Sequence, residues 1–441
     1  MKLTLREVLA ATGGTLLGEF NDLDVRIPYL LPHTNLPRNI EWESALFTPY
    51  IGAHYDGHDF IEEAFDKGCI GCLTERELPH YRKDKFYVLV NDVASASWQI
   101  AKEHMKSVHA KIICVTGSVG KTTTTRMVAN TLRQKYSVFE TLDNQNSEQL
   151  VPSMLCRIDK LNDYAVIELG LGINSNVKEM ARQICPDMMV LTNIGYAHVE
   201  KNGSLAGTAE EKCGATDYIA GGGTIFINGD DVLLKKYPYK HLVVTYGIGE
   251  ENDVRVYDIE QYVESFLTYS ALATYAVGKH EGMTEEEIRT GISTFIPERG
   301  RMDFIECNGF TLIDSTFNAS PASMKLALDT LGKQKGLRIA VLGEIVELGD
   351  YRKELYEEVG SYVTFDNTDI FITVGENAKE MLAGQTDQRV TKWPCRDNEE
   401  AFNAIRSIVK QRVAGEGCTV LCKGSNAYKL YELSQKLVED I

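Results

Sequence analysis

The sequence predicts an α/β fold of three domains, and three observations support that prediction. At about 150 residues per domain, the 441 residues allow two to three domains. Short apolar runs alternate with helix-compatible stretches, which is typical of parallel sheets covered by helices. The alternation breaks near Arg299 and then starts again. We therefore predict a small α/β domain over residues 1–107, a central parallel-sheet domain over 108–298 and a Rossmann-like domain over 299–441.

Hydrophobic pattern and turn residues predict the elements of each domain. In the first, they predict helices over 3–12 (ending at Gly13-Gly14), 60–67 and 94–105, and strands over 69–73 and 86–90. In the second, they predict strands over 111–115, 164–168, 188–192 and 224–227, with a helix over 122–134. In the third, strands over 310–314, 338–342, 370–374 and 419–422 alternate with helices over 323–333, 352–365, 398–410 and 427–438.

Composition and charge exclude several classes of protein. The net charge of −17 argues against general binding to nucleic acid or to anionic membranes, because both need a positive field. No run of eighteen apolar residues predicts a membrane span, and the first residues lack the apolar core of a signal peptide. The ten cysteines form no framework, so we expect reduced thiols in a cytoplasmic protein.

One Cys-x-x-Cys pair, Cys69 and Cys72, lies in an apolar run. Because no second cysteine or histidine pair lies nearby in sequence, we expect these thiols to pack in a buried strand rather than to bind a metal or act in redox chemistry.

The strongest chemical signal is a glycine-rich loop over residues 115–122, Val-Thr-Gly-Ser-Val-Gly-Lys-Thr. It follows a predicted strand and precedes a predicted helix, which is the context of a phosphate-binding loop. In such a loop the glycines let backbone amides face phosphate oxygens, and the helix N-terminus adds partial positive charge. Lys121 can reach the β- and γ-phosphates, and the Thr122 hydroxyl can bind Mg²⁺. Gly117 precedes Gly120 by three positions, so this loop is shorter than the general P-loop.

Three more polar residues fall near the ends of predicted elements. Glu168 ends an apolar strand, where a carboxylate can bind Mg²⁺ opposite a P-loop. His198 follows another strand, and Lys212 lies in a helix-compatible stretch. Taken singly, Glu168 is equally compatible with an exposed acid in a turn, His198 is more typical of a surface or packing residue, and Lys212 is typical of a solvated helix face. Only their combination with the glycine-rich loop favours a site.

The order and spacing of these motifs resemble those of Mur ligases. The resemblance is carried by six motifs: TGSVGKTTTT, Asn144-Gln145-Asn146 with Pro152 after it, IELG, TNIGYAH, AEEK and NGDD. The stretches YDGHDFIEEAFDKG, FNASPASMKLALDTL and VLGEIVELGDYRKELYEEVG resemble in particular the branch that acts on UDP-N-acetylmuramoyl-tripeptide and D-alanyl-D-alanine. The resemblance covers nearly the whole chain.

The resemblance implies a role for each matching residue. Gly117, Ser118, Gly120, Lys121, Thr122 and Thr123 would hold the phosphates of ATP, with Lys121 on the γ-phosphate. Two Mg²⁺ ions would be bound, one by Thr122 and Glu168 and a second with the help of His198 and Lys212, the lysine that is carbamylated in the family. Asn144 would lie near the substrate carboxylate. Arg301, Asp314 and Asn318 would contact the nucleotide from the junction with the third domain.

The implied activity is ATP-dependent formation of a peptide bond through an acyl-phosphate, in the synthesis of peptidoglycan precursors for the cell wall. A carboxylate is a poor electrophile, so phosphorylation activates it and cations offset the charge that accumulates on the phosphoryl oxygens. We expect a monomer that binds small-molecule substrates, neither binding nucleic acid nor inserting into a membrane.

Several recognition motifs depart from the family pattern and leave alternatives open. The first domain has residues 31–35, Leu-Pro-His-Thr-Asn, where the family has Ser-x-Asp-Ser-Arg. Other departures are Ser147, Phe266, Leu267, Ser270, Ser315 and Asn426. One alternative is a family member that joins a different amino acid or dipeptide to a different carboxylate. Another is a nucleotide-binding subunit without catalysis. A P-loop kinase is disfavoured by the short glycine spacing and the context of Lys212.

Overall fold

Three main sheets of five, seven and six strands organise the described residues, in the order in which the domains were predicted, and a separate two-stranded sheet lies in the first domain. The fold was obtained as a computed structural model that describes residues 3–34, 42–52, 55–141, 145–172, 175–196, 199–255, 267–411 and 417–440. Asn144, His198 and Phe266 lie outside the described residues.

The first domain is a small mixed sheet flanked by helices. Its elements are β1 (Leu3–Thr4), α1 (Leu5–Thr12), β2 (Thr15–Leu17), β3 (Arg26–Ile27), β4 (Leu30–Leu31), β5 (Leu46–Phe47), α2 (Ile61–Asp66), β6 (Gly71–Thr74), β7 (Phe86–Leu89) and α3 (Val93–Met105). The sheet order is β2-β7-β6-β5-β4, with β2 antiparallel to its neighbour. A Thr4–Glu7 capping box begins α1, and Gly13 at φ +63° ends it.

The central domain is a parallel sheet with helices on both faces. Its elements are β8 (Lys111–Thr116), α4 (Lys121–Leu132), β9 (Val138–Glu140), α5 (Val151–Leu155), β10 (Tyr164–Glu168), α6 (Val177–Ile184), β11 (Met188–Leu191), α7 (Val199–Asn202), α8 (Leu205–Gly214), β12 (Thr224–Asn228), α9 (Val232–Lys236), β13 (Leu242–Gly247), β14 (Val254–Arg255), α10 (Thr268–His280) and α11 (Glu285–Ser293). The order is β14-β13-β12-β11-β8-β10-β9. Polar residues after β8, β10 and β11 therefore meet at one edge.

The third domain is a second sheet covered on both faces. Its elements are β15 (Asp303–Cys307), β16 (Phe310–Ser315), α12 (Pro321–Gly332), β17 (Leu337–Leu342), α13 (Arg352–Tyr362), β18 (Ile370–Val374), α14 (Met381–Gly384), β19 (Thr391–Cys395), α15 (Asn398–Gln411), β20 (Cys418–Lys423) and α16 (Leu430–Asp440). The order is β15-β16-β20-β17-β18-β19, and only β15 runs antiparallel among these described pairings. The carboxyl ends of β16, β20 and β17 therefore lie side by side.

Two hydrophobic cores pack against the central sheet, and one of them joins it to the first domain. That core extends from Leu5 through Trp98 to Ile167 and Leu191. The third domain has its own cores on its two faces, and Tyr196 of the central domain packs against one of them. Within the described residues, no helix is long and apolar enough to span a membrane.

The predicted elements are largely present, but sequence reasoning missed five strands of the second and third domains. These are β9, β13, β14, β15 and β19. The strand predicted over 69–73 is shifted to Gly71–Thr74, so Cys72 lies in it and Cys69 precedes it. Both thiols are fully buried and unpaired by a disulfide, as the packing interpretation predicts. The last helix begins at Leu430, three residues later than predicted, because a short 3₁₀ turn, Asn426–Tyr428, comes first.

Candidate active site

The glycine-rich loop lies between the end of β8 and the start of α4. Gly117 and Gly120 adopt φ angles of +148° and +82°, a region that L side chains rarely occupy. A Cβ at Gly117 would stand 1.9 Å from Thr192 Oγ1, so the packing requires glycine there. α4 begins at Lys121, whose Nζ donates to the Gly117 carbonyl at 3.2 Å. Loop amides, helix N-terminus and lysine therefore share one anion-binding region.

The segment after β11 holds this loop in place. Thr192 Oγ1 donates to the carbonyl oxygen of Val119 at 2.6 Å, and the Val119 amide donates to Asn193 Oδ1 at 2.9 Å. The amide of Gly195 donates to Ser118 Oγ at 2.8 Å. These bonds restrain the loop before any ligand binds. They also explain the TNIG motif in physical terms, as a support for the loop.

Glu168 lies beside the loop, as its position at a strand end predicts. Thr122 Oγ1 donates to one of its carboxylate oxygens at 2.7 Å, and Asn146 Nδ2 donates to the other at 2.6 Å. The backbone amide of Glu168 donates to Thr141 Oγ1 at 2.8 Å. The side chain is nearly fully buried. A buried carboxylate held by neutral donors next to a phosphate loop is well placed to bind a cation.

Lys212 is fully buried on α8, so the reading of its helix as a solvated face is wrong at this position. Within the described residues its Nζ has no hydrogen-bond partner. Burial, reinforced by the nearby Lys121 cation, lowers its pKa from 10.5 to about 7. An orphaned buried amine is costly, and in a native structure such a group needs an explanation.

A pocket next to the loop lies between the central and third domains. On the side of the third domain, the Arg301 guanidinium carbon lies 3.9 Å from the centre of the Phe317 ring. Arg301 Nε donates to Glu298 Oε2 at 3.1 Å. Burial lowers the pKa of Arg301, although an arginine remains charged at any physiological pH. The pocket thus offers a cation stacked on an aromatic ring close to the phosphate loop.

Lys423, at the end of β20, is a further buried lysine in the pocket wall. Its Nζ donates to Ser315 Oγ at 3.0 Å and to the carbonyl oxygen of Asn318 at 2.9 Å. Burial, reinforced by Arg301, lowers its pKa to about 7. These two bonds tie the loop after β16 to β20 and so set the shape of the wall.

The pocket brings together many, but not all, of the predicted site residues. Those that line it are Ser118, Gly120, Lys121, Thr122, Thr123, Arg301 and Asn318. Gly117 and Glu168 contact the lining residues Lys121 and Thr122 as described above, and Lys212 lies near enough to Lys121 for that cation to affect its pKa. Asp314 does not line the pocket: its Oδ1 accepts from the amide and hydroxyl of Thr316 at 3.0 and 2.7 Å. Ser315 takes the lining position instead.

The altered recognition positions lie in the same pocket. Leu267 and Ser270 line it, and Thr124 Oγ1 donates to Ser270 Oγ at 3.0 Å. Leu267 therefore places an apolar side chain where the family pattern has the second residue of a polar pair. Ser270 places a hydroxyl where the pattern has an asparagine. Asn426 is exposed and does not line the pocket.

Sequence reasoning gave no functional role to several lining residues, among them Lys423, Tyr196 and Glu347. One signal was available for Lys423, because it ends a buried strand just as Glu168 does. Tyr196 and Glu347 lie in two of the stretches that carry the resemblance, TNIGYAH and VLGEIVELGDYRKELYEEVG, but nothing in those stretches indicates that both side chains line one pocket between two domains.

The donor set fits Mg²⁺, a hard cation that prefers oxygen ligands. The Thr122 hydroxyl and the Glu168 carboxylate already converge to within 2.7 Å. Among the residues that the structure describes, no group of three or more His, Cys, Asp or Glu side chains gathers into a metal cluster.

Comparison with known proteins identifies relatives along the whole chain. The Mur ligase middle domain profile matches residues 115–282, and the profile of the Mur ligase, glutamate ligase domain matches residues 300–426. The UDP-N-acetylmuramoyl-tripeptide–D-alanyl-D-alanine ligases of Bacillus subtilis and Synechocystis are 29% and 30% identical to this chain, cover 89% and 90% of it, and are themselves covered over 90% and 89% of their lengths.

Solved structures share the fold. A crystal structure of MurF from Acinetobacter baumannii superimposes with a TM-score of 0.88 at 24% identity, over 100% of this chain and 99% of that chain. MurF ligase from Thermotoga maritima in complex with ADP gives a TM-score of 0.78 at 24% identity, over 90% and 95%. The predicted α/β fold and the predicted resemblance are confirmed. With a relative 30% identical over 89% of its own length, the chain belongs to the Mur ligase family.

Proposed function

We propose that this protein joins D-alanyl-D-alanine to UDP-N-acetylmuramoyl-tripeptide at the expense of ATP, in the synthesis of peptidoglycan precursors. One observation carries the proposal: the phosphate loop, the Thr122–Glu168 pair and the orphaned amine of Lys212 converge beside one pocket between two domains. Relatives with this named activity match nearly the whole chain.

In the first half of the reaction, a substrate carboxylate oxygen attacks the γ-phosphorus of ATP, and ADP leaves. The amides of the loop and the helix N-terminus would hold the phosphates, while Lys121 offsets charge on the transferring phosphoryl group. Arg301 would add a second cation from the far side of the pocket. Asn144, outside the described residues, is proposed to bind near the carboxylate.

Thr122 and Glu168 are proposed to hold one Mg²⁺, and His198 with a carbamylated Lys212 the second. Bound Mg²⁺ would supply neutralisation of the phosphate charge. Lys212 suits carbamylation because its pKa of about 7 leaves much of the amine neutral, the form that attacks CO₂. The product is an anion formed from a side chain that would otherwise bring a buried positive charge close to Lys121.

In the second half, the neutral amine attacks the acyl carbon, and phosphate leaves with its bonding electrons. Tyr196 and Tyr351 bridge the two domains, with ring centres 5.8 Å apart, and so close one side of the pocket. Exclusion of water protects an acyl-phosphate from hydrolysis. The location that we propose is the cytoplasm, where ATP is available, and the state that we propose is a monomer that works on small molecules.

The test is phosphate release from Mg-ATP by the purified protein, with UDP-N-acetylmuramoyl-tripeptide and D-alanyl-D-alanine supplied singly and together, followed by mass spectrometry. Release that requires both substrates, with a pentapeptide product, is the expected result. Release with other acids or amines but not with this pair would favour the alternative of a different substrate pair.

The sequence of the first domain favours that alternative specifically. Leu31, Pro32 and Thr34 are buried, and only His33 is exposed in the described part of the stretch that replaces the family's arginine-containing motif. A uridine diphosphate would have to be held by other residues. No ATP consumption with any acid or amine would instead support a non-catalytic nucleotide-binding subunit.

A further inference from the structure

Glu298 lies in the segment that connects the central and third domains. α11 ends at Ser293 and β15 begins at Asp303, so residues 294–302 form this connection. The Arg301 amide donates to the carbonyl oxygen of Glu298 at 3.1 Å, which makes the connection a tight turn. Arg301 lines the pocket beside the phosphate loop, whereas Glu298 does not. A role of Glu298 in the site would therefore act through a neighbouring residue.

The Glu298 carboxylate bridges two arginines. Its Oε1 lies 2.6 Å from Nη1 of Arg126, and its Oε2 accepts from Arg301 Nε at 3.1 Å. Arg126 belongs to α4, the helix that begins at the phosphate loop. Arg301 is the cation that contacts the Phe317 ring in the pocket wall. One carboxylate therefore links the helix of the phosphate loop to a cation on the other side of the pocket.

The third domain restrains the position of Arg301 but not its direction. The guanidinium carbon lies 3.9 Å from the centre of the Phe317 ring, and the Phe317 amide donates to the Gly300 carbonyl oxygen at 3.0 Å. Contact with an aromatic face is weakly directional, whereas a charge-assisted hydrogen bond is strongly so. The bond from Nε to Glu298 therefore sets the direction in which the guanidinium points.

Neighbouring cations repel Arg301. Lys121 and Lys423 line the same pocket. Burial lowers the pKa of each lysine, and the Arg301 cation adds to both shifts, so these charges interact strongly. The carboxylates of Glu168 and Glu298 offset part of this repulsion, and Glu298 does so through a direct hydrogen bond. Without that bond, repulsion would favour orientations of Arg301 that point away from the pocket.

The exposure of the bridge argues against a role in stability alone. The side chains of Glu298 and Arg126 are 29% and 36% exposed. Ion pairs with this exposure contribute little to folding stability, because water screens the charges and the long side chains lose freedom. The orientation that the bridge gives Arg301 is therefore its more important consequence.

We propose that Glu298 is a positioning residue for the nucleotide, which orients Arg301 in the pocket and fixes it relative to the helix of the phosphate loop. This inference rests on the proposed function, in which ATP occupies that pocket. The role is indirect, since Glu298 acts through Arg301. Loss of Glu298 should therefore weaken nucleotide binding although every residue that lines the pocket is still present.

The experiment measures the Kd of Mg-ATP by calorimetry in Glu298→Gln, without acid or amine substrates. Glutamine keeps the shape of the side chain, but only one of its two terminal atoms can accept a hydrogen bond. We expect the Kd to rise roughly tenfold, as for loss of a hydrogen bond between charged groups. The thermal unfolding midpoint should stay within about 2 °C of wild type, because the bridge is partly exposed.

Two further variants test whether Glu298 acts through its two partners. Arg126→Met removes the other half of the bridge and should raise the Kd by about threefold. Arg301→Met should weaken binding at least as much as Glu298→Gln, and Glu298→Gln in that background should add no further loss, because no guanidinium is left to orient. Equal losses from Glu298→Gln in both backgrounds would overturn the inference, as would unchanged binding in either Glu298→Gln or Arg126→Met.

The matched control is Glu380→Gln. The Glu380 side chain is also 29% exposed and pairs with an arginine, Arg352, at 3.1 Å, but that arginine does not line the pocket. The control should bind Mg-ATP as wild type does, and a loss equal to that of Glu298→Gln would count against a specific role for Glu298. A wild-type protein that does not bind Mg-ATP would contradict the proposed function, and the inference would fail with it.

Discussion

Two buried lysines on opposite sides of the pocket respond to burial in the same way but have different surroundings. Lys212 in the central domain and Lys423 in the third domain both have a pKa lowered to about 7, chiefly by burial. Lys423 donates to two neutral oxygens at 3.0 and 2.9 Å. Lys212 Nζ has no hydrogen-bond partner in the described part of the chain.

The difference indicates different roles for the same residue type. The Lys423 amine already donates two hydrogen bonds that tie a loop to a strand, so it needs no further ligand. Lys423 therefore acts as a positioning residue for the pocket wall. An orphaned lysine beside Lys121 and near Glu168 is satisfied only by a change in its chemistry or by a ligand. A lowered pKa alone would not separate these roles, whereas the hydrogen-bond partners do.

The largest loss of activity is expected on substitution of Lys121, the lysine of the phosphate loop. Substitutions of Lys212 and Lys423 should have smaller effects. Lys121→Ala should lower phosphate release by on the order of 10³-fold, because a cation on the transferring phosphoryl group is lost. Little change in thermal stability is expected, since the side chain is half-buried and makes one long hydrogen bond. Turnover near the wild-type rate would remove the loop from the mechanism.

Lys212→Ala should lower activity by roughly 10²- to 10³-fold, since an anion that orders the site is lost. Added acetate or formate should restore part of the activity, because a small carboxylate can occupy the space of the carbamate. The same salts should not rescue Lys423→Ala, which removes a hydrogen-bond donor. Rescue of both variants, or of neither, would contradict the distinction between the two lysines.

Lys423→Met should raise the KM for ATP about tenfold, because the loop that carries Ser315 and Asn318 loses two hydrogen bonds. The kcat should change less, since Lys423 is proposed to shape the wall and not to contact the reacting atoms. Lys353→Met, at an exposed position on α13, is the control and should behave as wild type. A change confined to kcat would indicate a direct role in the chemistry.

The last effect concerns the pH dependence of stability and leaves the activity at neutral pH aside. The Lys423 pKa is about 7 in the folded protein, against 10.5 for an unperturbed lysine, so between these pH values the unfolded chain binds the extra proton. Stability from this residue therefore rises with pH across that window. Denaturant unfolding of wild type and Lys423→Met should diverge in this direction. A difference that is flat or falls with pH would show that Lys423 stays charged.

Much of the fold could be predicted from the sequence. The alternation of apolar runs with helix-compatible stretches, and the turn residues at the ends of strands, are signals within short segments of the chain. The predicted strands over 164–168 and 370–374 match β10 and β18 residue for residue. β19 was missed because it is an exposed edge strand containing Pro394, which reads as a break in a strand. β9 and β14 are too short to show a period, with three and two residues.

The site residues could be predicted where a single segment of the chain holds them. They could not be predicted where two domains bring them together. The phosphate loop and Glu168 could be identified from their places after strands. Burial of Lys212 could not, since Glu210 and Glu211 directly precede it in sequence and its environment comes from packing. The places of Lys423 and Glu347 in the pocket wall depend on loops that come together only when the third domain faces the central one.

The most direct measurement is ¹³C NMR of the purified protein in ¹³C-bicarbonate. The account predicts one carbamate resonance in wild type, its loss in Lys212→Ala and its retention in Lys423→Met. Absence of a carbamate resonance in wild type, or its persistence in Lys212→Ala, would contradict the claim that the orphaned lysine of the central domain is the one that is modified.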